Sequence, residues 1–344
     1  VLSKYFLNSM ANYYLQLDHI AEHYSKQLLD NVFGQENFQA KITWNTGDNI
    51  SGFKSQAMSW IRQADFIHHY STADKNYFVK CFELLNKEDV NLGWLDILGK
   101  NKNRLYKEKW VDGKFIEEEV NYPVKAKGTI WNDIYSFQYS EPRITESMSF
   151  VSNQKPENLL RRIIQSSCPT KGTVLDYFAG SGTTCAVAQK LNRKWIGVET
   201  GQYFNEIYLD TVKVKKIIQD EDEESEEIIN EAIVEVLSET AKEKTVLMKK
   251  IGILGRMKIV LKGDKQFKVI HTTQIRRPHL SKDVNWEGGG FFKYYSLEQY
   301  EETLARARYS KDNNLTIWDG NKSSFAQYIF NTDQKLTDFI KVSS

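Results

Sequence analysis

Between residues 173 and 200 the chain reads TVLDYFAGSGTTCAVAQKLNRKWIGVET. A short apolar run meets a turn built on Gly180, Ser181 and Gly182. A helical pattern follows, and a second apolar run closes on Glu199. The two glycines allow backbone conformations that a Cβ forbids, so a ligand can approach the main chain closely. A helix starting near Thr183 aims its unpaired N–H groups and positive dipole end at that ligand, which favours an anionic group. Glu199 ends the second run roughly 20 residues past Asp176, where an acid can accept from ribose hydroxyls. Such a site suits a nucleotide-type cofactor. The order lacks G-x-G-x-x-G, and no Gly-Lys-Ser/Thr follows, so it is neither a dinucleotide fingerprint nor a P-loop. The plain alternative is a Gly-Ser-Gly turn with no ligand.

Other residue groups carry weaker chemistry. His19 to His23 spell H-x-x-E-H, a zinc-peptidase pattern with two histidines one turn apart. No third ligand is identifiable, so a partly solvated helix surface is the better reading and no metal is expected. Cys81, Cys168 and Cys185 are far apart and form no C-x-x-C pair, which argues for a reducing compartment and against a disulfide framework. Cys185 reads as a packed small residue. Basic and acidic residues nearly balance, 46 against 45, so total charge announces no polyanionic partner. The acidic run DEDEESEE at 220–227 reads as a flexible solvated loop. No run approaches the roughly 18 apolar residues of a membrane span, which makes the cytoplasm the default.

The elements that must position these groups follow from periodicity. NYYLQLD predicts a strand. HIAEHYSKQLLDNVFG predicts a helix with Ile20, Tyr24, Leu28 and Phe33 on its apolar stripe, stopping at Gly34, and FQAKITW alternates like a strand. Residues 45–150 lose regular period and read as a surface-rich insertion with little core. KPENLLRRIIQSS predicts a helix with Pro156 near its first turn. TVLDYFAG is expected as a buried strand, TTCAVAQKLN as a helix and KWIGVE as a strand. The pattern from 203 to 250 is read as helical. MKIVLKG and FKVIHTTQI are read as strands, and WEGGGFFKYY as a loop before a short helix.

The stretch DYFAGSGTTCAVAQKLNRKWIGVE resembles the S-adenosylmethionine site of bacterial DNA amino-methyltransferases. SFVSNQKPENLLRRIIQSSCPTKGTVLDYFAGSG is similar to the beta-type permutation, in which a Lys-Pro helix directly precedes the glycine motif. The modification subunits of type III restriction systems belong to that sub-group. There the catalytic half comes first, target recognition second and the cofactor motif third. NYYLQLDHIAEHYSKQLLDNVFGQENFQAKITW and WEGGGFFKYYSLEQYEETL also resemble the sub-group.

The resemblance implies an α/β fold: a Rossmann-like, S-adenosylmethionine-dependent methyltransferase with an inserted target-recognition region and a mixed C-terminal region. By it, residues 1–44 are the end of the catalytic half, 45–150 target recognition and 151–215 the cofactor part. Residues 216–344 form a C-terminal region for DNA binding or dimerisation. The cofactor would be held by Lys155, Pro156, Asp176, Tyr177, Phe178, Ala179, Gly180, Ser181, Gly182, Thr183 and Glu199. Of these, 176–183 would wrap the methionine part, Glu199 would hold the ribose, and Lys155 with Pro156 would close the pocket. The implied partners are double-stranded DNA, a restriction (Res) subunit and a second Mod copy. The implied reaction is methylation of a flipped base, adenine N6 favoured over cytosine.

One family motif is missing. Amino-group methylation uses an Asp/Asn/Ser-Pro-Pro-aromatic tetrapeptide, and the five prolines, at 123, 142, 156, 169 and 278, include no adjacent pair. Its expected place lies upstream of residue 1, and the chain begins with Val rather than Met. The expectation is a truncated methyltransferase that holds cofactor but transfers no methyl group alone. A silent specificity subunit, or an enzyme acting on RNA or protein, are the other classes.

Overall fold

The structure is a computed structural model. It describes residues 2–17, 19–47, 58–72, 76–84, 105–120, 124–136, 146, 154–201, 204–205, 207–215, 233–239, 243–264, 267–268, 275–276 and 278–295. The chain divides into two units, Val1–Gly290 and Phe291–Ser344, and every element named below belongs to the first.

After the short α1 (Leu2–Tyr5), the strand β1 (Asn12–Leu17), the helix α2 (Glu22–Phe33) and the strand β2 (Phe38–Asn45) stand where periodicity predicts them. Gly34 ends α2 with φ +94°, a conformation costly for any residue with a Cβ. The two strands are not neighbours. β3 (Ala64–Ser71) lies between them and is antiparallel to both, and β8 (Ile130–Trp131) pairs parallel to β2 on its other side. Two segments of the expected core-poor insertion therefore build the sheet.

Both faces of that sheet are covered. On one, Ile42, Trp44, Ile67, Trp131 and Ile134 pack with Leu159 of α3 (Glu157–Ser167). On the other, Tyr70 packs with Leu29 and Phe33 of α2. The buried side of α2 runs through Glu22, Ser25, Leu29 and Phe33, while Tyr24 and Leu28 are 71% and 65% exposed. The apolar stripe expected through Ile20, Tyr24 and Leu28 thus faces away from the core. Helix rotation follows Glu22, whose buried Oε1 meets His68 Nε2 at 2.7 Å and Lys41 Nζ at 2.8 Å. A carboxylate inside must keep its partners.

β9 (Thr173–Asp176), α4 (Thr183–Lys190) and β10 (Lys194–Gly197) form a parallel βαβ unit. β9 is half-buried and stops at Asp176, shorter than the buried strand expected. β4 (Phe82–Leu84) pairs antiparallel with β7 (Val124–Ala126), and the hairpin of β5 (Leu105–Val111) and β6 (Lys114–Val120) is anchored to the βαβ unit. Arg193 donates to both oxygens of Glu108 at 3.0 Å, and Trp110 Nε1 donates to the Lys190 carbonyl at 2.8 Å.

Two expectations fail beyond residue 203. In place of helix, β11 (Ile207–Lys215), β12 (Ile233–Glu239) and β13 (Glu243–Ile251) form an antiparallel sheet of order β11-β13-β12. IYLDTVKVK is rich in β-branched residues, Ile207, Thr211, Val212 and Val214, which favour a strand over a helix. Conversely MKIVLKG, read as a strand, lies largely in α5 (Ile253–Leu261), where Met257 and Val260 are buried on one face. α6 (His279–Asp283) was not foreseen. Of FKVIHTTQI, at 267–275, only Phe267, Lys268 and Ile275 are described, in the short paired strands Phe267–Lys268 and Ile275–Arg276. The acidic run 220–227 lies outside the described residues, as does the short helix expected after the glycine loop.

Candidate cofactor site

The turn between β9 and α4 has the conformation its glycines foreshadow. Gly180 and Gly182 take φ +53° and +74°. A Cβ on Gly180 would point into open space, with only the Phe178 carbonyl within 4 Å, at 3.8 Å. Gly182 is confined instead: a Cβ there would stand 3.2 Å from Ile253 Cγ2 on α5. One side of the turn is thus an open cradle and the other is packed.

Two carboxylates shape the cradle. Asp176 Oδ1 accepts the Phe178 N–H at 3.1 Å, and Oδ2 accepts the Thr184 hydroxyl at 2.6 Å, which ties the strand end to the helix start. Glu199 Oε2 accepts the Gly180 N–H at 2.8 Å. Its Oε1 accepts the N–H groups of Thr200 and Gly201, each at 3.0 Å. The structure therefore brings Asp176, Gly180 and Glu199 together, as their spacing foretold. Gly182 N–H donates to the buried Ala179 carbonyl at 2.7 Å, and Ser181 Oγ meets Thr183 Oγ1 at 3.1 Å. Phe178 is 79% exposed beside the turn, its ring 5.1 Å from that of Tyr177.

The N-terminal sheet reaches the same place. Tyr13 and Tyr177 share a hydrogen bond of 2.6 Å between their hydroxyls, and Tyr14 meets Ser167 Oγ at 2.5 Å. Burial raises the Tyr14 phenol to about 12, against the Ser167 hydrogen bond. Lys155 and Pro156 precede α3, with Pro156 at its N-cap. Burial lowers the Lys155 pKa; the Asp65 charge opposes that shift and Arg62 adds to it.

Beneath the turn lies a group of charges that periodicity did not reveal. Lys190 Nζ donates to both oxygens of Glu157 at 2.8 Å and reaches Asp264 Oδ2 at 2.6 Å. Arg256 Nη2 donates to Glu157 Oε1 at 3.1 Å. Its Nη1 donates to the Ser181 carbonyl at 3.1 Å and to Thr183 Oγ1 at 2.8 Å. All four charged residues are buried. Burial opposes the charge on Glu157, but Lys190 and Arg256 outweigh it and hold the carboxyl below its usual range. Glu146 Oε2 accepts the Glu157 N–H at 2.8 Å; burial and then the Glu157 charge push its own carboxyl up to about 8. In sequence, Glu157 was visible only as the residue after Lys-Pro, and Lys190 as an ordinary helix-end lysine.

The remaining candidates separate from this site. His23 is largely exposed against Glu22, at 3.2 Å. Among the described residues no group of three or more His, Cys, Asp or Glu is placed to hold a metal ion. Cys185 is buried on α4, and burial first, then Asp176, pushes its thiol to about 12. No described helix is long and apolar enough to cross a membrane.

A parallel βαβ unit with a glycine turn and an acid at its strand ends defines a nucleotide-cofactor protein of the α/β class. The chain belongs to the DNA methylase family of the N6/N4 type, which matches residues 6–210. It is 31% identical over 226 residues to a protein of Haemophilus influenzae named as a probable type III restriction-modification enzyme HindVI Mod subunit, covering 65% of this chain and 20% of that one. It is 44% identical over 72 residues to the type II methyltransferase M.BamHI of Bacillus amyloliquefaciens, covering 21% of this chain and 16% of that one. The chain thus spans a fifth or less of the length of these relatives. A crystal structure titled as the M1.HpyAVI–SAM complex superposes over 57% of this chain and 71% of that one, at 14% identity and a TM-score of 0.32, too loosely to bear on the fold.

Proposed function

We propose that this chain is the cofactor-binding part of a restriction-modification DNA methyltransferase, with S-adenosylmethionine in the cradle at 176–183. The observation that carries the reading is the pair of carboxylates, Asp176 and Glu199, that shape an open glycine turn. When bound, the cofactor supplies an electrophilic methyl group on a sulfonium. The first N–H groups of α4 would receive its carboxylate end. Glu199 would hold the ribose, Lys155 and Pro156 would close the pocket, and the exposed Phe178 ring would offer an apolar wall. The substrate is double-stranded DNA and the target adenine N6, on the likeness to the Mod subunit. The same likeness supports a Res subunit and a second Mod copy as partners, with residues 45–150 contributing to target recognition.

The 344 residues contain no Pro-Pro pair. Methyl transfer then needs the tetrapeptide from outside them. The same observation favours, as a second reading, a DNA-binding subunit that kept the cofactor fold without the chemistry.

Labelled S-adenosylmethionine and mixed-sequence plasmid separate these readings. The expected result is cofactor retention and salt-sensitive DNA binding by the chain alone. Label should enter DNA only when a polypeptide carrying the tetrapeptide is added. DNA binding without transfer in either case supports the second reading. Retention of neither cofactor nor DNA contradicts both.

A further inference from the structure

We propose that Arg256 is a positioning residue for the cofactor turn, so that the site is completed by α5, beyond the 151–215 stretch. The proposal rests on the reading of 176–183 as a cofactor cradle.

Three contacts carry it. The Arg256 guanidinium donates to the Ser181 carbonyl and to Thr183 Oγ1 through one nitrogen, and to Glu157 through the other. It thus grips the turn at its middle and at the first residue of α4. Ile253, one turn earlier on α5, lies against Gly182 and blocks that glycine from moving back. Because Thr183 Oγ1 accepts from Arg256, its own proton is free to point at Ser181 Oγ, 3.1 Å away, which orients the Ser181 side chain.

The remaining charges hold Arg256 in place rather than touching the turn. Glu157 is shared between Arg256 and Lys190, and Lys190 is shared with Asp264, whose Oδ2 also accepts from Ser281 Oγ at 3.1 Å. Two cations and two carboxylates balance inside the protein, which fixes the guanidinium where a surface arginine would swing. A buried arginine that spends two of its hydrogen bonds on a loop, 75 residues away in sequence for the Ser181 contact, sets that loop's shape.

S-adenosylmethionine titrations at constant pH test this with four proteins: the unaltered chain, R256M, R256K and D264N, each checked for folding by circular dichroism and melting. R256M should weaken binding about tenfold, the worth of one charge-assisted hydrogen bond. R256K keeps the charge but not the fork, and should recover part of the loss. D264N disturbs the same network without touching the turn; it should lower the melting temperature and cost clearly less affinity than R256M. If R256M does not fold, R256K decides: an unchanged dissociation constant overturns the proposal. It is also overturned if folded R256M binds like the unaltered chain, or if D264N loses as much affinity as R256M. Binding by the unaltered chain with no effect of Arg256 leaves the cofactor reading standing. Absence of binding by the unaltered chain overturns both.

Discussion

Glu199 and Gly180 are joined by a 2.8 Å hydrogen bond from the glycine N–H to Oε2, across the gap between two parallel strands. The acid two residues past β10 therefore fixes the left-handed glycine of the turn. E199A removes an acceptor of three backbone N–H groups. It should cost about 1–3 kcal/mol of stability and weaken S-adenosylmethionine binding more than tenfold. Urea denaturation and cofactor titration measure the two; an unchanged midpoint would remove Glu199 from the turn's architecture.

Gly197 makes a sharper test of packing beneath the site. A Cβ there would lie 2.5 Å from the Sγ of Cys185, which is buried on α4. G197A should destabilise by about 1–3 kcal/mol, the ordinary cost of overpacking. C185A, which removes the sulfur, should restore most of that loss in the double variant. Equal losses in the single and double variants would contradict the contact.

The Lys190 ammonium sits between Glu157 and Asp264 with no exposed surface. K190M leaves the buried Asp264 without its Lys190 partner and Glu157 with Arg256 alone, and should cost about 3–5 kcal/mol. Removing the facing charge as well, in K190M with D264L, should cost less than K190M alone. Strict additivity of the two substitutions, read from denaturation midpoints, would show that the pair is not coupled.

Glu146 gives stability a defined slope with pH. Its carboxyl is raised from 4.5 to about 8 by burial and by the Glu157 charge. Below the lower value both folded and unfolded chains are protonated, and its stabilising effect is fully present. As pH rises between the two values, the unfolded chain loses a proton that the folded chain retains, so stability falls and then levels off above the higher one. E146Q has no such proton. Its stability should vary less with pH in that window than the unaltered chain's, and parallel pH profiles would contradict the assignment.

Sequence resolved the site far better than its supports. Strand, glycine turn, helix and acid at 173–199 are local signals: the left-handed turn needs glycine, and the helix follows it at once. Asp176 and Glu199 could be paired because a βαβ unit has a nearly fixed length. Arg256 and Asp264 carry no such local mark, since their partners lie on elements distant in sequence. MKIVLKG reads as a strand because Met257, Ile259 and Leu261 alternate at a strand's period, while Met257 and Val260 fit a helix's equally well in so short a window. The outward turn of Tyr24 and Leu28 is equally hidden, because the choice of α2's inner face rests on Glu22 meeting His68 of β3, 46 residues away.

The most direct test of the whole account is calorimetric titration of the chain with S-adenosylmethionine, alongside G180R and D176A. G180R fills the open side of the cradle, and D176A unties the Phe178 N–H and the Thr184 hydroxyl. Saturable one-site binding by the unaltered chain, abolished in both folded variants, is the predicted result. Undiminished heats with either folded variant would place the cofactor elsewhere and contradict the assignment of the glycine turn.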